Sequence, residues 1–89
     1  MATVHFTRHL ESHVDCRPAS VAGATVHAAL DEALAKNPAV RNYILDDQNR
    51  LRRHIMVFVD GRILEDRIGL SDPVKPDSEI YVMQALSGG

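Results

Sequence analysis

The chain has 89 residues, a formal net charge of −2, and 45% hydrophobic and 25% charged side chains. Those values argue against intrinsic disorder and give no electrostatic case for nucleic acid or an anionic membrane. A single cysteine, Cys16, excludes an internal disulfide, and no apolar run approaches the roughly 20 residues that cross a bilayer.

Thr3 to Arg8 alternates, with Val4 and Phe6 on one face and His5 and Thr7 on the other, the pattern of a half-buried strand. No signal-peptide h-region precedes it, so the cytosol is the expected compartment. Val14 and Cys16 suggest a second strand paired to the first, limited by Pro18. Across Ala22 to Lys36 the period changes. Val26, Ala29, Leu30, Ala33 and Leu34 form one stripe of an amphipathic helix. Thr25 is its expected N-cap, after a flexible Gly23, and Asn37-Pro38 its stop.

Val40 to Leu45 fits a short strand or a helical turn, and Asp46-Asp47-Gln48-Asn49 is turn chemistry. His54 to Val59 is the strongest strand. Ile55, Val57 and Val59 face one way; His54, Met56 and Phe58 face the other. Asp60-Gly61 predicts a tight hairpin turn of the primed type, with Ile63 and Leu64 on the return strand. Glu79 to Leu86 is the final strand, with Ile80 and Val82 opposite Tyr81 and Met83. The helix then covers one face of a sheet in a two-layer α+β domain. The other face carries His54, Met56, Phe58, Tyr81 and Met83, a surface suited to a partner, although ordinary sheet packing uses the same residues.

The chain ends in Gly88-Gly89. Glycine has no Cβ, so such an end threads a narrow slot. Taken alone, two glycines are equally what a frayed terminus provides. With this element order ahead of them, the hairpin Leu51 to Arg62 and the stretch Asp72 to Met83, they resemble the MoaD/ThiS family of ubiquitin-like sulfur carriers. That resemblance implies a β-grasp fold, a mixed sheet on one main helix over residues 1–86, and a flexible tail over 87–89. It implies a co-substrate rather than an enzyme. An ATP-dependent, ubiquitin-activating-type partner would adenylate the Gly89 carboxylate, with Gly88 giving access. A sulfur donor would convert it to a thiocarboxylate for a synthase in molybdopterin, thiamine or cysteine biosynthesis. Many MoaD-like members carry prolines before the diglycine where this chain has Gln84-Ala85-Leu86-Ser87. The expected partner contacts are Phe58, Tyr81, Met83 and Leu86, and four extended residues would add about 13 Å of reach. A protein modifier conjugated through Gly89 uses the same tail, and a plain interaction module needs none of it.

No bound cofactor is expected, since ATP belongs to the partner. His5, His9 and His13, with Cys16 nearby, would align as metal ligands on a helix. Val4 and Phe6 place His5 on a strand instead, so no metal site is expected. Cys16 beside Arg17 fits a small half-buried strand residue better than a reactive thiol. Arg50, Arg52 and Arg53 fit a solvated edge that deters strand pairing, or a surface that steers an acidic partner.

Overall fold

The computed structural model describes residues 1–6, 18–35 and 38–84. Strand β1 is Ala2–Phe6, β2 Ala19–Val21, β3 Ile55–Val59, β4 Arg62–Ile63 and β5 Glu79–Gln84; helix α1 is Val26–Leu34 and α2 Pro38–Ile44. The strands form one mixed sheet in the order β2-β1-β5-β3-β4. β1 and β5 run parallel, and the other neighbours are antiparallel. This is the expected β-grasp arrangement, with the last strand inserted at the centre.

Alternation decides which face is covered. Val4, Ile55, Val57, Ile80 and Val82 are fully buried on the inner face, against Leu30 and Leu34 of α1 and Ile44 of α2. Truncating such a side chain to alanine typically costs about 2–5 kcal/mol. Val40 and Ile44 bury one side of α2, which settles that segment as a helix. Pro38 opens it at the first helical position, where a missing N–H costs nothing.

Helix α1 begins after Thr25, the expected N-cap, and hydrogen bonds fix that start. Thr25 is extended and its hydroxyl accepts from Ala28 N. The other two early donors are taken by a distant loop: Val26 N donates to Asp72 O and His27 N to Leu70 O. The first three N–H groups of the helix are thus all satisfied. Gly23, expected to be flexible, is instead packed against the helix. A Cβ there would lie 2.6 Å from Ala29 N, so the position needs a residue without one.

The second strand pairs antiparallel with the first, as expected. β2 follows Pro18 and pairs Val21 with Ala2, whereas Val14 and Cys16 lie outside the described residues. The Asp60-Gly61 turn is as expected. Both residues have positive φ, 51° and 84°, and Val59 pairs with Arg62 across it. Asp60 does more than turn the chain. Its carboxylate accepts from Glu79 N at 2.9 Å and from the buried Ser78 hydroxyl at 2.8 Å. These two bonds, the Glu79 N–H first, hold its pKa below the usual carboxylate range. They clip the hairpin to the start of β5.

Asp66 organises the loop that caps α1. Its carboxylate accepts from Ser71 Oγ at 2.6 Å and from the backbone N–H groups of Ile68, Gly69 and Ser71. The Ser71 hydroxyl and then the Gly69 N–H lower its pKa to about 2. A carboxyl depressed in the folded state stabilises above its unfolded pKa and loses that contribution as pH falls through the folded value. Asp66→Ala is therefore expected to be less stable than the parent at neutral pH, by a margin that shrinks between about pH 4 and about pH 2. Urea midpoints across that range check it; a pH-independent difference would contradict it. Thr25→Ala should cost about 1 kcal/mol in the same assay.

Candidate functional site

The outer face of the sheet is the candidate site. Register sets its side chains in rows: Met56 opposite Met83, and Phe58 between Tyr81 and Ile63. Phe58, Met56 and Met83 are half-buried, while Tyr81 and Ile63 are 42% and 53% exposed. No helix covers this face among the described residues. It is apolar at its centre and open, the character of a surface that meets another protein.

A polar border runs along β1. The His5 ring stacks on Tyr81 at 4.6 Å with 13° between the planes. Its Nε2 lies 2.7 Å from Glu79 Oε2. The ion-pair geometry is solvent-accessible and contributes little to stability. Its consequence is positional, since His5 and Phe58 flank Tyr81 and fix where its ring stands.

The far end of β5 is where the chain continues toward the diglycine. Gln84 is the last described residue, and it pairs with Ile55. The hydroxyl of Tyr43, from α2, donates to Gln84 Oε1 at 2.7 Å. Tyr43 also meets the His54 ring edge-on at 5.1 Å. The helical layer thus holds the described end of the last strand at Gln84.

The expected contact residues fall as follows. Phe58, Tyr81 and Met83 share the open face; Leu86, Gly88 and Gly89 lie outside the described residues. His54, expected beside Met56 and Phe58, precedes β3 and packs on Tyr43 instead. His5 and Ile63 were not anticipated as part of the face. A two-residue turn at Asp60-Gly61 already places residue 63 opposite residue 58, so the register held that information. His9, His13 and Cys16 lie outside the described residues, and no group of three or more metal-ligating side chains is found among the described ones. Nor is any described helix long and apolar enough to cross a membrane.

The profile of the ThiS family matches residues 16–89. The chain belongs to the ThiS family. Solved structures agree on the fold. One chain of the Amycolatopsis orientalis BexX/CysO complex superposes with a TM-score of 0.82 at 23% identity, over 100% of both chains. SAMP1 from Haloferax volcanii gives 0.77 at 25% identity, over 99% of this chain and 98% of that one. Urm1 from Sulfolobus solfataricus gives 0.71 at 18% identity, over 92% and 97%. No curated protein matches by sequence. This ThiS-family chain is thus a small ubiquitin-like protein of the sulfur carrier and modifier class. In it, Tyr43→Phe is expected to cost about 1 kcal/mol and to speed amide exchange at Gln84. Unchanged exchange at that amide would show that Tyr43 does not hold the strand end.

Proposed function

We propose that this chain is a sulfur carrier that acts through the carboxylate of Gly89. The observation that carries the reading is the family match, which runs through Gly88 and Gly89. A carboxylate is a poor electrophile at neutral pH. Attack of a Gly89 oxygen on the α-phosphorus of ATP, in the site of a ubiquitin-activating-type partner, expels pyrophosphate and leaves an acyl adenylate. Hydrosulfide from the sulfur donor then adds to that carbonyl and AMP departs, leaving a thiocarboxylate. The chain supplies the carboxylate and the docking surface, and the partner supplies the nucleotide. Gly88 gives access to a slot too narrow for a Cβ.

The open face around Phe58, Tyr81 and Met83 fits the docking role, and Leu86 is proposed as a further partner contact. The thiocarboxylate then passes sulfur to a synthase. The missing prolines at Gln84 to Ser87 favour a recipient other than molybdopterin synthase, and thiamine or cysteine biosynthesis are the corresponding candidates.

With the activating enzyme, ATP and a sulfur donor, intact mass should rise by one sulfur-for-oxygen exchange at Gly89. Deleting Gly89 should abolish the change without altering the melting temperature. Tyr81→Asp should raise KM for the activating enzyme severalfold and leave kcat nearly unchanged. An unaltered mass with a competent enzyme contradicts the reading.

A second reading has its own support. Haloferax volcanii SAMP1, a small archaeal modifier protein by name, is 25% identical over nearly the whole chain. The same acyl adenylate, taken by a lysine amine, gives an isopeptide through Gly89. Gly89 found on lysines of cellular proteins favours the modifier, and free thiocarboxylate alone favours the carrier.

A further inference from the structure

At the end of the sheet where β5 finishes, the loop after α2 and the loop before β5 enclose a hollow of about 610 Å³. It is lined by Asp46, Arg50, Leu51, Arg53, Arg67 and Ile68. Three arginines against one carboxylate leave two net positive charges there, on a chain whose total is −2.

The cations are not equivalent. Arg50 is paired with Asp46, Nε to Oδ2 at 3.1 Å, and Asp46 also accepts from Gln48 N and Arg50 N. Arg67 is held by backbone alone. One of its terminal nitrogens donates to Arg52 O at 3.0 Å and to Ile55 O at 2.9 Å. Arg67 and Arg53 have no carboxylate within ion-pair distance among the described residues. Arg67 is therefore a cation fixed in place by backbone carbonyls, with no carboxylate paired to it among the described residues. Beside it, Ile68 is 73% exposed, a large apolar side chain at the rim of a basic hollow.

A fixed cation recognises an anion without losing side-chain entropy on binding. An exposed isoleucine next to it recognises an apolar group. Nucleic acid fits less well: the lining has no aromatic side chain for a base to stack on, and Asp46 would face the phosphates. A hollow of about 500 Å³ at the Asp60-Gly61 end mixes carboxylates with cations and carries no comparable excess.

We infer that the Arg50–Arg53–Arg67 hollow docks an acidic segment of a protein partner, with an apolar side chain seated on Ile68. The site is separate from the outer sheet face and does not depend on the chemistry of Gly89. Its place in the fold is at the Ile55 end of β3: Ile55, whose carbonyl anchors Arg67, pairs with Gln84.

The test is an amide NMR titration of the full chain with a short peptide alternating glutamate and leucine. Shifts should concentrate at residues 50–53 and 67–68 and weaken as salt rises. Arg53→Glu and Ile68→Ser should each weaken binding severalfold, while Tyr81→Asp should leave it unchanged. Replacing the peptide's glutamates by glutamine, or its leucines by serine, should weaken it likewise. Shifts centred on the sheet face, equal binding of the glutamine peptide, or tighter binding of an oligothymidine or of inorganic phosphate would each overturn the assignment. None of these outcomes depends on whether Gly89 is activated.

Discussion

The burial of Ile80 and Val82 is the constraint on which the rest depends. Both are fully buried under α1, in the middle strand of the sheet. Because strand side chains alternate, fixing those two inward fixes Tyr81 and Met83 outward. Register then brings Phe58 and Met56 beside them and Gln84 opposite Ile55. A slip of one residue would exchange core and surface along the whole of β5. The side chains on the open face and the pairing of Gln84 are thus set by one packing decision.

Three local devices hold that register, and each joins segments distant in sequence. Asp60 ties the β3–β4 hairpin to Ser78 and Glu79 at the start of β5. Asp66 shapes the loop whose carbonyls cap α1. Tyr43 reaches from α2 to Gln84 at the strand's end. The start of β5, the helix above it and its finish are each fastened by a polar contact around a wholly apolar core. Such bonds contribute modestly one by one, but they discriminate between registers that hydrophobic burial alone leaves close in energy.

Much of this was legible in the residues because it is periodic. The alternation in Ile55 to Val59 and in Glu79 to Met83, the helical stripe from Val26 to Leu34, and the Asp60-Gly61 turn carry their own geometry. The open face followed from them, with Phe58, Tyr81 and Met83 placed together. What was not legible depends on tertiary contact. His54 sits one residue outside the strand pattern and turns to Tyr43. Gly23 looked like a flexible hinge, yet it is demanded by the close approach of Ala28 and Ala29. The choice of helix for Pro38–Ile44 needed a surface for Val40 and Ile44 to bury against. The fixed Arg67 was invisible, because its partners among the described residues are the backbone carbonyls of Arg52 and Ile55.

The central claim is that the activating enzyme meets the chain through its open sheet face while the outer side of α1 stays outside the contact. Methyl NMR of Met56 and Met83, with the activating enzyme added, tests it most directly. The account predicts that both methyl signals shift or broaden together with the amides of Phe58 and Tyr81, and that His27 and Asp31 on the outer side of α1 stay unperturbed. Unchanged methionine signals, with perturbation confined to α1, would contradict it.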